Sequence, residues 1–156
     1  MTNLKEFLKT LVFIPSVTGY ESKSADKIKD ACCNFVKDFF TDAYVTKSHS
    51  IVLKRECGKK DANRLVFDAH LDGIGFNVSQ ICSGGYIRLN ALGGIDSNLI
   101  SASEVLILGK NRDVRGVFTS IPPHLSNSDK LPEVSEMLVD TSLDEKELCE
   151  NVQIGT

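Results

Sequence analysis

The spacing of apolar residues predicts two amphipathic helices at the start of the chain. Asn3 and Glu6 can form a capping pair for the first helix, and Pro15 limits its end. After the segment PSVTGYES interrupts the pattern, a second and longer helix is predicted. The apolar face of the first helix comprises Leu4, Phe7, Leu8 and Leu11, and that of the second comprises Ala25, Ile28, Cys32, Phe35, Val36 and Phe39.

Two apolar runs without a helical period predict strands in the next part of the chain. The first run covers residues 51–54, with the sequence IVLK. The second covers residues 64–69, RLVFDA, and is almost continuously apolar. Such a run is typical of a central strand covered on both faces, as in an α/β domain.

From residue 73 onward, apolar and polar residues alternate, and no helical period is found up to residue 120. Residues 74–78 and 87–91 flank a Ser83-Gly84-Gly85 turn, which predicts a hairpin. Short strands at this spacing favour a small barrel or sandwich. The remaining predicted strands cover residues 105–108, 114–118 and 137–140, with an irregular loop at 120–134.

Helical features return near residue 142. Ser142 and Glu145 have the spacing of a capping box, which predicts a helix through Glu150. The pattern as a whole predicts an α/β domain that begins with residues 1–72 and is interrupted by a β module at 73–140. Residues 141–156 are then expected to return to the first domain.

Composition and charge exclude several classes of partner. The chain has 156 residues, of which 42% are hydrophobic, and 18 basic against 21 acidic residues give a net charge of −3. With no basic run longer than Lys59-Lys60, neither nucleic acid nor an anionic membrane is expected as a partner. No segment approaches the roughly 18 apolar residues that span a bilayer. We therefore expect a soluble cytoplasmic protein whose five cysteines are reduced and mostly buried.

The segment VFDAHLDGIGF carries the candidate chemistry. On a strand, His70 and Asp72 point to the same side, and an imidazole with a supporting carboxylate suits zinc, cobalt or manganese. In the functional interpretation, His70 binds metal and Asp72 fixes its tautomer at the carboxyl end of a strand. In the structural interpretation, His70 is a hydrogen-bonded strand-end residue and Asp72 a turn residue before Gly73. The spacing alone leaves both open.

The other two histidines are expected to have no catalytic role. His49 lies between serines and is expected at the surface, and His124 follows Pro122-Pro123 in the predicted loop. The sequence contains no GxSxG motif, no HExxH motif and no phosphate-binding glycine loop with a lysine.

Five segments, in this order, resemble the N-terminal part of the tetrahedral aminopeptidase family: IPSVTGYES, DAHLDGIGFNV, LGGIDSNLI, VRGVFTSIPPHL and LVDTSLDEKELCENVQIGT. This family of co-catalytic metal exopeptidases includes glutamyl and deblocking aminopeptidases, and some members were formerly labelled endoglucanase or cellulase M. The resemblance implies an α/β catalytic domain interrupted by a β-barrel dimerisation domain. It also implies that His70 is a metal ligand, that Asp72 is its orienting partner in the catalytic site, and that the full-length protein holds two zinc or cobalt ions.

The chain departs from the family in two respects. Gly73 stands where the family usually has Glu. The bridging Asp, the general-base Glu and the other ligands of the family lie beyond the position that matches Thr156. The chain is therefore expected to be an incomplete portion of an aminopeptidase, to hold no metal tightly and to be inactive alone.

Three functions are weighed at this stage. The first is a metallo-aminopeptidase acting on peptides, represented by its N-terminal portion. The second is a non-catalytic module that forms homo-oligomers through the β module. The third, a glycoside hydrolase, needs two carboxylates across a sugar-binding cleft, and the absence of Trp from the chain disfavours it.

Overall fold

The computed structural model describes residues 3–120 and 132–156. Most of the predicted loop at 120–134, including His124, lies outside the described residues. The chain divides into two compact units, which are called unit 1, up to Gly73, and unit 2, from Ile74 onward.

The two predicted helices of unit 1 are confirmed as α1 (Leu4–Val12) and α2 (Glu21–Phe35). Asn3 caps α1 by accepting a hydrogen bond from the Lys5 backbone N–H at 3.0 Å, but Glu6 pairs with a lysine side chain instead of completing a capping box. The predicted stripe of α2 runs past the real end of the helix, because Asp38 adopts a left-handed φ of 58°. The Phe7 and Phe35 rings stack at 4.1 Å and join the two helices.

A two-stranded antiparallel sheet completes the regular structure described in unit 1. The predicted strand at 51–54 is confirmed as β2 (Ile51–Lys54), and it pairs with β1 (Asp42–Val45), which the sequence analysis missed. The turn between them is closed by the Thr46 N–H, which donates to the Ser50 carbonyl at 2.9 Å.

The prediction of a central strand at residues 64–69 is wrong for this structure. The segment has no regular secondary structure, and Leu65, Val66 and Phe67 are 79%, 81% and 89% exposed. A central strand needs a neighbour on each side, whereas β1 and β2 form a two-stranded sheet by pairing with each other. Among the described residues, nothing supplies the ladder that this apolar run requires.

Unit 2 contains the strands predicted from the alternating pattern. They are β3 (Gly75–Cys82), β4 (Tyr86–Leu92), β5 (Glu104–Ile107), β6 (Val114–Phe118) and β7 (Leu138–Asp140). The strands form one antiparallel sheet in the order β3-β4-β7-β6-β5, so the last strand in sequence lies in the middle. The hairpin of β3 and β4 is confirmed, while closure of this sheet into a barrel stays a prediction.

The inner face of the sheet carries the core of unit 2. Helix α3 (Glu145–Asn151) contributes Leu148, which is fully buried. Its start differs from the prediction, because Asp144 and not Ser142 is the cap and accepts from the Glu147 N–H at 2.8 Å. The buried cluster consists of Val78, Ile87, Leu89, Ile107, Val114, Phe118, Met137, Val139, Leu148 and Val152.

Residues 141–156 pack as part of unit 2. Gly85 lies so close to Leu143 that a Cβ on the glycine would be 1.9 Å from the Leu143 carbonyl oxygen. The segment ends against β3, where the Val78 N–H donates to the Thr156 carbonyl and the Gly155 N–H donates to the Val78 carbonyl, both at 2.8 Å. The prediction that residues 141–156 return to the α/β domain stays a prediction, because the packing within this chain does not test it.

No helix in the described ranges is long and apolar enough to cross a membrane.

Candidate functional site

The candidate site lies in unit 1, where the segment His70–Gly73 meets the loop between α1 and α2. Val17 and Gly73 form an isolated parallel bridge. The Gly73 N–H donates to the Ser16 carbonyl at 2.7 Å, and the Thr18 N–H donates to the Gly73 carbonyl at 3.3 Å. These backbone bonds hold Thr18 and Asp72 side by side, although 54 positions separate them in sequence.

The His70 ring is held by two oxygen atoms of Asp72. Its Nδ1 atom lies 3.0 Å from the Asp72 backbone carbonyl and 3.2 Å from carboxylate Oδ1. A carbonyl and an ionised carboxylate are both acceptors, so Nδ1 must carry the proton and donate. In a neutral ring with the proton on Nδ1, the lone pair is on Nε2, and the 86% exposure of the His70 side chain leaves this atom accessible to a ligand.

The Asp72 carboxylate is shared between two donors. Oδ2 accepts from the Thr18 hydroxyl at 2.7 Å, while Oδ1 faces the His70 ring. The hydrogen bond from Thr18 is the main cause that lowers the pKa of Asp72 below its ordinary value, and the His70 ring adds to this lowering. Asp72 is accordingly an anion at neutral pH, as an orienting carboxylate must be.

The described residues fit one ligand of a metal site and not a complete coordination sphere. In residues 3–120 and 132–156, no group of three or more His, Cys, Asp or Glu side chains is arranged to hold a metal ion. A stable zinc site uses about four ligands, of which His70 can supply one.

His49 lies where the sequence analysis expected it, at the surface. It occupies the turn between β1 and β2 with a left-handed φ of 62°, and its N–H donates to the Thr46 carbonyl at 3.0 Å. His124 lies outside the described residues and stays without a structural account.

The five cysteines are free, as predicted, but the expectation that most are buried is wrong. Cys57 and Cys149 are exposed, and the other three are intermediate. Partial burial raises the pKa of the Cys32 thiol, which keeps it in the unreactive protonated form.

Sequence reasoning missed Thr18. Its contact with Asp72 depends on the pairing of two segments 54 positions apart, and neither local sequence identifies the partner of the other. The only available signal was the polar SVTG run directly after Pro15.

Comparison with known proteins finds the same kind of relative by sequence and by structure. The family model described as M42 glutamyl aminopeptidase matches residues 50–156. The lysyl aminopeptidase of Pyrococcus furiosus is 27% identical over 125 residues, which cover 80% of this chain and 34% of that protein.

Two solved structures are similar over nearly the whole chain. An aminopeptidase from the archaeon Desulfurococcus kamchatkensis has a TM-score of 0.81 and 26% identity, and the match covers 96% of this chain and 41% of that one. The TET1 peptidase of Pyrococcus horikoshii, which can assemble into a tetrahedron or a large octahedral shell, has a TM-score of 0.78 and 28% identity, with 97% and 44% covered. The fold is therefore mixed α/β and similar to that of these peptidases. The chain spans less than half the length of each of these relatives.

Proposed function

Because the chain belongs to the M42 glutamyl aminopeptidase family, we propose that it forms part of a metal-dependent aminopeptidase, a hydrolase that removes N-terminal residues from peptides. Membership confirms the resemblance noted from the five sequence segments. The observation that assigns the proposal to specific residues is the His70–Asp72 pair. In this pair, the His70 Nδ1 atom donates to Asp72, and the His70 Nε2 atom is available to bind a ligand.

In this proposal, His70 supplies one nitrogen ligand to a pair of divalent ions, zinc or cobalt. Such ions activate a water molecule and polarise the scissile carbonyl when they are bound. Asp72 keeps the His70 ring in the Nδ1–H tautomer and limits its rotation, as carboxylates beside metal-binding histidines commonly do. Gly73 stands where the family usually has Glu, but this difference leaves both the His70 imidazole and the Asp72 carboxylate in place.

We further propose that a working site needs residues that these 156 do not include. The single histidine ligand supports this, because the described part of the chain has no group of three or more His, Cys, Asp or Glu side chains that could hold a metal ion. The exposed run at Leu65, Val66 and Phe67 supports it independently, since a contiguous apolar segment of this kind is usually covered by other parts of a protein. The chain alone is then expected to bind divalent metal weakly and to have no peptidase activity.

A chimera tests this function. The 156 residues would replace the matching part of the Pyrococcus horikoshii TET1 peptidase, and hydrolysis of amino-acid p-nitroanilides would be measured with cobalt or zinc. We expect activity from the chimera and none from the short chain. His70→Ala should abolish activity, and Asp72→Ala should reduce activity or metal affinity by about 10- to 100-fold.

His49→Ala is the matched control, because it removes an exposed imidazole of the same unit that lies in a turn. An active His70→Ala chimera would disprove the site assignment. Turnover by the short chain that His70→Ala abolishes would disprove incompleteness, as would stoichiometric zinc retained by the short chain after dialysis.

A second candidate function is self-association through unit 2, which we propose corresponds to the β-barrel dimerisation domain of the family, with residues 141–156 leading back to the catalytic domain. The outer face of β5 and β6 carries two half-exposed apolar residues, Leu106 and Val117, at 50% and 44% exposure. The assembly of the Pyrococcus horikoshii relative favours the same idea.

Sedimentation equilibrium tests this association at micromolar concentration. We expect a dimer or larger species that Leu106→Glu with Val117→Glu dissociates, whereas Leu99→Glu, at another exposed apolar position of unit 2, does not. Ile87 and Leu89 are unsuitable positions, because both are buried and a charge there would unfold the sheet. A 17.1 kDa monomer would refute the proposal.

A further inference from the structure

We infer that Thr18 is a positioning residue of the proposed site: its hydroxyl fixes the orientation of Asp72 and thereby the tautomer of His70. The inference rests on the proposed function for its catalytic meaning. Its structural content can be tested on the chain itself, without metal and without substrate.

The hydroxyl of Thr18 has one proton and two possible acceptors. The Asp72 Oδ2 atom lies at 2.7 Å and the Gly73 carbonyl oxygen at 3.5 Å. The shorter contact to an ionised oxygen is the stronger hydrogen bond, so the proton is directed at Asp72.

Without this bond, the carboxylate of Asp72 would be less constrained. The terminal torsion of an aspartate side chain is broad, and the group can turn about it at little cost. The Thr18 hydroxyl holds Oδ2, and this leaves Oδ1 aimed at the His70 Nδ1 atom at 3.2 Å. The three side chains thus form one relay, from the Thr18 hydroxyl through the carboxylate to the imidazole.

The position of Thr18 does not itself depend on the hydroxyl. The backbone bonds from Gly73 to Ser16 and from Thr18 to Gly73 fix the two segments together. Removing the hydroxyl should therefore leave the backbone in place and release only the carboxylate. A purely structural role would show as a loss of folding, and a positioning role as a change at the His70 ring.

The test uses ¹⁵N chemical shifts of the histidine ring in the 156-residue chain at a pH of about 9, where an ordinary imidazole is neutral. The His70 signals are assigned with a His70→Gln variant. Thr18→Val keeps the β-branched shape without the hydroxyl, Thr18→Ser keeps the hydroxyl, and Thr10→Val removes a hydroxyl that donates to the Glu6 carbonyl on α1.

We expect the Nδ1–H form to dominate in the wild type, in Thr18→Ser and in Thr10→Val. In Thr18→Val, the ratio of the Nδ1–H to the Nε2–H form should fall by about 2- to 10-fold, which is the worth of one ordinary hydrogen bond. The shift stops short of full loss because the Asp72 backbone carbonyl still accepts from Nδ1. Circular dichroism checks folding, and Thr18→Ala replaces Thr18→Val if the valine variant does not fold.

An unchanged ratio in the folded hydroxyl-deletion variant would overturn the inference, as would an equal shift in Thr10→Val or in Thr18→Ser. Failure of the proposed function would give a different combination of tautomer ratio and chimera activity. If the ratio shifts as expected but the His70→Ala chimera stays active, the relay exists and the catalytic assignment is wrong. If the ratio does not shift but His70→Ala abolishes activity, the catalytic assignment stands without Thr18.

Discussion

Unit 2 buries ten apolar side chains in one cluster, whereas unit 1 buries two among its described residues, Ala25 and Ile28. Both units contain helices and antiparallel strands, so the type of secondary structure does not distinguish them. The difference lies in what the elements cover. In unit 2 the sheet has a helix against its inner face, while the apolar run of unit 1 has no cover among the described residues.

The exposed run at residues 64–69 shows the cost of this difference. Burying a Val, Leu or Phe side chain contributes about 1.5–3 kcal/mol, and Leu65, Val66 and Phe67 are each at least 79% exposed. The comparison indicates that unit 2 can be stable through its own interior, while unit 1 depends on burial that the described residues do not provide.

The largest expected effect is in hydrogen exchange. Amides of β4, an interior strand paired on both sides, should exchange about 1,000-fold or more slowly than those of Leu65, Val66 and Phe67, because β4 opens only when unit 2 unfolds. Residue-resolved exchange of the intact chain measures both. Comparable protection in the two segments would break the comparison, since it would mean that the run at 64–69 is covered in solution.

Side-chain truncation sharpens the same contrast. Leu148→Ala removes a fully buried side chain of unit 2 and should lower the free energy of unfolding by about 2–5 kcal/mol. Phe67→Ala removes a larger side chain that is 89% exposed and should change it by less than about 0.5 kcal/mol. Urea unfolding followed by circular dichroism gives both values, and equal losses would show that Phe67 packs somewhere.

The helix caps give the smallest effect. Asp144→Ala should lower the stability of unit 2 by about 1 kcal/mol, because α3 is part of its core. Asn3→Ala removes a similar cap from α1 but should shift the main unfolding transition less, since α1 has no buried residue and can fray alone. The two urea midpoints decide this, and a larger shift for Asn3→Ala would reverse the ranking.

Sequence reasoning succeeded where the evidence was local. The alternation around Ser83-Gly84-Gly85 predicted the hairpin of β3 and β4 because both strands and their turn lie in one short stretch. The run at 64–69 was misread because an apolar run indicates a need for burial and not its fulfilment. Strand β1 was missed because its four residues carry a weak pattern, and its pairing with β2 became clear only in the structure.

The candidate site divides in the same way. His70 and Asp72 are two positions apart, so their proximity could be inferred from sequence. Thr18 reaches Asp72 only because the loop after α1 pairs with Gly73, a contact that no local pattern encodes. The start of α3 was predicted only approximately. Ser142 has the spacing of a cap residue, but its backbone is left-handed, and Asp144 caps the helix instead.

The hydrogen bonds between Thr156, Gly155 and Val78 bear on how unit 2 can be moved between proteins. Val78 follows Ile74 by four residues, an extended length of at most about 14 Å, so the first and last residues of unit 2 lie close together. A module with adjacent ends can interrupt a host loop at little cost in loop-closure entropy. Residues 74–156 therefore have the geometry of a module that can be transferred between proteins, and they suit circular permutation or exchange between related hosts.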